Sequence, residues 1–130
     1  MKIKRIEHVG VVVKDIEASR ELWENIFGIP LGGMEENERR KLALYYVGDS
    51  MVELISGKGP DNKHMKLIAE GRGGINHLCF EVELKSKGVP LLDEIPRIGH
   101  AGARVAFLDP KGTEGCLIEL AELPAEAQPH

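Results

Sequence analysis

Arg5-Ile6-Glu7-His8-Val9-Gly10-Val11-Val12-Val13 and Gly74-Ile75-Asn76-His77-Leu78-Cys79-Phe80-Glu81-Val82 read as one pattern written twice. In each, a histidine sits in a run rich in apolar and β-branched residues, the composition of a strand. A glutamate follows each histidine, 45 and 42 residues later, inside a second apolar run: Val52-Glu53-Leu54-Ile55 and Ile118-Glu119-Leu120-Ala121. Self-similarity at this period marks a chain built from two copies of one structural unit, each roughly 60 to 65 residues long.

Working outward from the first histidine, Asp15 offers an N-cap. Ile16, Ser19, Leu22, Trp23, Ile26 and Phe27 then recur at helical spacing, and Gly28 supplies a stop. Gly28-Ile29-Pro30-Leu31 is echoed by Gly88-Val89-Pro90-Leu91 in the second copy. A strand over Lys41 to Val47, a turn at Gly48-Asp49-Ser50 and a strand over Met51 to Ile55 follow. The second copy repeats this as Arg104 to Leu108, a turn through Asp109-Pro110-Lys111-Gly112, and a strand from Gly115 to Ala121. The predicted fold class is α+β, with two tandem βαβββ modules. Module one covers residues 3–56, a linker 57–73, module two 74–122 and a loose tail 123–130, all within a single domain, 1–130. The linker is expected to hold a short helix near His64 to Glu70.

The repeat is imperfect at one place. Gly28 follows His8 by 20 residues, whereas Gly88 follows His77 by only 11. The second module's helix is therefore shortened, by about two and a half turns at 3.6 residues per turn, leaving Leu84-Lys85-Ser86-Lys87. A sheet face left uncovered there needs a partner chain, an open sheet or residues missing from the sequence to account for it.

Strand alternation sorts the side chains. Ile6, His8, Gly10 and Val12 share one face of the first strand, and Val9, Val11 and Val13 share the other, which suits packing under a helix. Ile75, His77, Cys79 and Glu81 oppose Leu78, Phe80 and Val82. Glu53 shares a face with Met51 and Ile55, and Glu119 lies opposite Ile118 and Leu120. Each titratable residue thus takes the face away from the stiff aliphatic set. A single strand histidine is more often a hydrogen-bonded core residue than a ligand, and a glutamate among aliphatics more often faces solvent. Four such residues in matching places of a repeat reverse that balance: His8, Glu53, His77 and Glu119 are the expected ligands of one divalent metal. Imidazole and carboxylate suit Zn, Co, Ni, Mn or Fe, and a six-coordinate ion would keep two positions open for water or substrate.

The bulk properties narrow the setting. The chain has 130 residues, 29% of them charged, and a formal net charge of −4, so a nucleic acid or an anionic membrane is not the expected partner. The longest apolar run, Val9 to Val13, is far too short to span a bilayer, and no signal-peptide core follows the N-terminus. Cys79 and Cys116 lie in strand-like runs and are expected as thiols, which points to the cytoplasm.

On these strand pairs the sequence resembles the vicinal oxygen chelate superfamily, over about residues 3 to 122. Within it, the resemblance is nearest to the methylmalonyl-CoA epimerase family. The carrying segments are His8 to Glu17, Val47 to Ile55, Gly74 to Val82, Pro96-Arg97-Ile98-Gly99-His100-Ala101-Gly102 with Ala103 to Lys111, and Gly115-Cys116-Leu117-Ile118-Glu119-Leu120. The resemblance implies a mixed sheet that curls around a divalent metal held by His8, Glu53, His77 and Glu119. It implies an acyl thioester substrate, no nucleic-acid or membrane partner, and a homodimer. It implies a proton taken from and returned to the carbon α to the thioester through a metal-stabilised enolate, with Glu119 as both ligand and base.

The second acid/base is open. Some family members carry an acid on the strand matching Lys41 to Leu44, where this chain has Leu42. Glu35, Glu36 and Glu38 are nearby, each more readily read as part of a solvated loop. Arg104 and Lys111 are candidate partners for carboxylate or phosphate, and His100 lies in a glycine-rich loop. A glyoxalase I-type lactoylglutathione lyase places the same His and Glu set at the same points. A metal-free antibiotic-binding protein is the alternative outside catalysis.

Overall fold

The computed structural model describes residues 2–83, 97–98 and 104–122. Its elements run β1 (Lys2–Val12), α1 (Ile16–Arg20) continued by a π-helical segment (Glu21–Ile26), β2 (Gly33–Glu36), β3 (Arg40–Val47), β4 (Ser50–Gly57), α2 (Lys63–Ala69), β5 (Gly74–Glu83), β6 (Arg97–Ile98), β7 (Arg104–Phe107), a 3₁₀ turn (Pro110–Gly112) and β8 (Ile118–Glu122). The protein is a mixed α+β fold, and its first module shows the expected βαβββ order. The proposed short helix of the second module, the Gly88 to Leu91 echo, the His100 loop and the tail lie outside the described residues.

The chain divides into two compact units, one of Met1–Glu7 with His77–His130 and one of His8–Asn76. In the His8–Asn76 unit the strand order is β2-β3-β4-β1. β1 and β4 run parallel, while β2–β3 and β3–β4 are antiparallel. Gly48 and Asp49 alone connect β3 to β4, and Gly48 takes φ +60° at the first loop position, the conformation a two-residue hairpin favours and that L residues resist.

The two faces of this unit match the alternation in the sequence. One face packs Ile16, Ala43, Tyr45 and Leu54 with Val11, Val13, Trp23 and Val52, so the valine face of β1 does lie under α1. The other packs Val12, Leu42, Leu44, Met51 and Ile55 against Leu67 and Ile68 of α2. Each fully buried Leu or Ile in these layers contributes on the order of 2 kcal/mol of hydrophobic stabilisation.

The helix departs from expectation in its form. Asp15 caps α1 as predicted, its Oδ1 accepting from the Glu17 N–H at 3.0 Å. From Glu21 the turns widen. Phe27 N–H donates to Leu22 O at 2.9 Å, five residues back, and Ile29 N–H closes on Trp23 O at 3.0 Å across Gly28, whose φ is +73°. Glycine serves there because only it enters the left-handed region without a steric cost. The Tyr45 and Arg20 side chains hold Glu24 within this segment, at 2.8 and 2.7 Å.

In the other unit the order is β5-β8-β7-β6, with residues 2–7 of β1 beside β5. β5 and β8 are parallel, and β6–β7 and β7–β8 antiparallel. Glu81 is almost wholly buried, and Arg5 Nε donates to its Oε1 at 2.7 Å while Lys4 Nζ stands 3.4 Å from Oε2. These contacts tie the opening residues of β1 to β5.

Candidate metal centre

β1 and β4 set the first pair. Their register places Gly10 opposite Glu53 and His8 opposite Met51. Glu53 is therefore one step diagonal from His8 on the same face, and the residue directly facing it is a glycine with no side chain. The carboxylate can lean toward the imidazole, and Glu53 Oε2 stands 3.8 Å from His8 Nε2. Both residues are buried, His8 at 4% and Glu53 at 5% exposure. On its other side Glu53 faces Leu44 of β3.

β5 and β8 set the second pair by the same rule. Cys79 stands opposite Glu119 and Leu78 opposite Ile118. Glu119 is again diagonal to a histidine two residues before its register partner, and His77 Nε2 lies 3.3 Å from Glu119 Oε1. His77 and Glu119 are buried as well. Phe107 of β7 is the antiparallel partner of Glu119, and its ring meets His77 at 5.8 Å with an interplanar angle of 75°. Phe107 therefore occupies the place that Leu44 takes in the first module. The two modules thus use one construction: histidine at position i, a small residue at i+2, and a glutamate opposite that small residue on the parallel neighbour.

Each pair suits a divalent cation. A buried imidazole and a buried carboxylate present one borderline nitrogen and one hard oxygen side by side. A separation of 3.8 Å exceeds an ordinary N–H···O hydrogen bond, so the His8–Glu53 contact is not itself a made bond. Burial of a carboxylate is costly unless a cation or donors compensate it.

The other expected residues separate. Glu35 stands opposite Leu42 in the β2–β3 register, on the face of Leu44 and Glu53. Glu36 belongs to the opposite face and is ion-paired with Lys58. Glu38 lies exposed in the turn before β3. These acids are not all in one loop, because Glu35 and Glu36 form part of β2. Leu42 is buried among aliphatics. Lys111 N–H donates to Asp109 Oδ1 at 3.0 Å in the 3₁₀ turn, and the Lys111 side chain is exposed. The backbone of Arg104 lies in β7, opposite Glu122. Both cysteines are free thiols; Cys79 is buried as expected, whereas Cys116 is exposed. Cys79 as the facing partner of Glu119 was a site neighbour that composition does not announce, and the alternation His77-Leu78-Cys79 was its only signal. No described helix is long and apolar enough to cross a membrane.

Known proteins are similar to this chain over most of its length. Residues 7–107 match the model of the glyoxalase/bleomycin resistance protein/dioxygenase superfamily. The uncharacterized protein YqjC of Bacillus subtilis is 31% identical over 92% of this chain and 93% of its own length. The ethylmalonyl-CoA/methylmalonyl-CoA epimerase of Cereibacter sphaeroides is 30% identical over 93% of this chain and 99% of its own. A variant of the Streptomyces coelicolor methylmalonyl-CoA epimerase in complex with 2-nitronate-propionyl-CoA superposes with a TM-score of 0.86 at 28% identity, covering 98% of this chain and 100% of that one. With a family model matching most of its length and a βαβββ module carrying a buried His–Glu pair, the chain belongs to the glyoxalase/bleomycin resistance protein/dioxygenase superfamily.

Proposed function

We propose that the protein is a metal-dependent epimerase of methylmalonyl-CoA or a related acyl-CoA. The observation that carries this reading is the pair of His–Glu constructions in matching registers, in a chain about as similar to named epimerases as the 30% relative above. In this reading His8, Glu53, His77 and Glu119 together hold one divalent ion, drawn from Co, Zn, Ni, Mn or Fe. When bound, the ion supplies positive charge that stabilises an enolate oxygen.

The remaining chemistry belongs to side chains. The carbon between a thioester and a carboxylate loses its proton to a base on one face and regains one on the other. Glu119 is the base on one side. Leu42 has no proton to exchange, so Glu35, its register partner on the same face, is the candidate for the other side. The aliphatic layer of Leu42, Leu44, Met51 and Ile55 keeps water from the developing charge.

The free thiols support a reducing compartment, the cytoplasm. Exposed Ile26 and Phe27, at 70% and 54% exposure, are the kind of surface that a homodimer covers. The test of the activity is direct. The metal-loaded protein should racemise methylmalonyl-CoA and exchange its acidic carbon-bound proton for deuterium. If neither occurs, the epimerase reading is wrong. Leu42 specifically favours a second reading, a glyoxalase I-type lyase, because it leaves β3 without an acid at that position. Turnover of the glutathione–methylglyoxal hemithioacetal, without racemisation of the thioester, would decide for it.

A further inference from the structure

The two His–Glu constructions share a plan and differ at its small residue. Gly10 presents no side chain to Glu53 across the β1–β4 register, whereas Cys79 presents a thiol to Glu119 across β5–β8. The pair beside the cysteine is also the closer one, at 3.3 Å against 3.8 Å. Cys79 is wholly buried, at 0% exposure, and the chemistry proposed above does not use it.

The neighbours of Cys79 give it a direction. Cys79, Glu119 and Phe107 form one row across β5, β8 and β7, and Glu81, Ala121 and Val105 form the next row on the same face. His77 lies two residues before Cys79, so it stands on the other side of the Glu119 row from Ala121 and Val105. Cys79 packs into one buried cluster with Val105 and Ala121. That cluster fills the side of Glu119 away from His77. Phe107 stands across from Glu119 on β7, and its ring meets His77 edge-on. A close-packed interior leaves a side chain only the space that its neighbours do not fill. With a thiol on one neighbouring strand, an aromatic ring on the other and an aliphatic cluster behind, the Glu119 carboxylate is directed to the His77 imidazole. Glu53 has Leu44 on one neighbouring strand and a bare glycine on the other.

We infer that Cys79 is a positioning residue, whose side chain holds the Glu119 carboxylate against His77 by filling the space opposite it. This rests on the metal-binding reading proposed above. The sulfur acts by its volume; it neither ligates the ion nor ionises. A carboxylate already held at its working position loses less freedom when the ion arrives, so the filled space favours binding.

The experiment titrates the chelator-treated protein with Co, followed by visible absorption, in wild type, Cys79→Ser, Cys79→Ala and Cys79→Gly. The absorption bands report the geometry of the ligands around Co, which a loss of stability elsewhere does not alter. Affinity should fall with the volume removed: Cys79→Ser should stay within about twofold of wild type, Cys79→Gly should bind about tenfold more weakly, and Cys79→Ala should fall between. The bands of Cys79→Gly should change shape, because its Glu119 is released from the side of His77. At saturating Co, kcat for the thioester should fall in the same order while KM holds. Cys79→Gly also loosens the backbone; if it does not fold, Cys79→Ala against Cys79→Ser carries the comparison. Equal affinities and equal spectra in all the folded variants would overturn the inference. Cys79→Ser binding as weakly as Cys79→Ala would overturn it too, since that is the result of a sulfur that ligates the ion itself. If wild type binds neither Co nor Zn, the metal-binding reading falls and takes this inference with it.

Discussion

At the scale of single residues, buried polar groups on both faces of the first module have different work. On the face of Met51 and Ile55, His8 and Glu53 are buried side by side, and the proposal above gives them an ion to hold. On the α1 face Tyr45, fully buried, donates its hydroxyl to Glu24 Oε2 at 2.8 Å and stacks on Trp23 at 5.6 Å between ring centres. Arg20, then Tyr45, hold the Glu24 carboxyl below the usual carboxylate range. Burial, then Glu24, push the Tyr45 phenol up to about 12. Removing the hydroxyl by Tyr45→Phe should cost about 1.5 to 3 kcal/mol at neutral pH, the value of a hydrogen bond to a charged group. The sign of the pH effect follows from the raised pKa. Below about pH 10 the phenol is protonated in both folded and unfolded chains, and its contribution is intact. Above that the unfolded phenol ionises while the folded one stays neutral until about 12, so stability is lost across this window. Urea midpoints near pH 8 and near pH 11 should therefore converge for wild type and Tyr45→Phe as pH rises. A gap that holds constant would show that Tyr45 titrates normally. The Glu53 and Glu119 positions were legible in the sequence because the repeat pairs them. The place of Glu35 on the face of Glu53 was not, because the mostly exposed Gly33–Glu36 shows no apolar alternation and only the register with Leu42 sorts its faces.

At the scale of elements, legibility follows how much each segment buries. β1, β5, β3, β4 and the start of α1 bury an alternating or helical apolar set, and those sets show in the sequence. β2 does not, because among the described residues it pairs with β3 alone and most of Gly33–Glu36 is exposed. The π-helical widening was hidden too: Leu22, Trp23, Ile26 and Phe27 fit ordinary helical spacing, the Arg20–Glu24 pair is one that an ordinary helix also makes, and the second Glu24 contact comes from distant Tyr45. The short helix α2 depends on one local joint. Asn62 caps it, its Oδ1 accepting from His64 N–H at 2.8 Å, and the same side chain occupies the space that a Cβ on Gly57 would fill. Asn62→Ala should cost about 1 kcal/mol through the lost cap. Gly57→Ala should cost about 1 to 3 kcal/mol by driving the cap from its seat. Because both changes act on one contact, the double variant should be less destabilised than the sum. Strict additivity in urea unfolding would mean that the Gly57 seat and the cap are independent.

At the scale of the whole molecule, the His–Glu constructions belong to different modules, and the proposal that they serve one ion has a consequence neither module has alone. An ion that binds only the folded chain stabilises it by about 2.7 kcal/mol at a free concentration one hundred times its dissociation constant. If all four side chains share that ion, loss of either histidine removes most of the effect. The purified protein should bind one divalent ion per chain, measured by elemental analysis and by titration of the chelator-treated form with Co or Zn. The melting temperature should rise with ion concentration and saturate. His8→Ala and His77→Ala should each remove most of the ion-dependent rise, although the two residues lie on different strands, β1 and β5. Two independent sites would instead give two ions per chain, with half of the rise surviving in each variant. That outcome would keep the matched registers of Gly10 with Glu53 and Cys79 with Glu119 as a record of duplication, and would remove the shared centre from the mechanism.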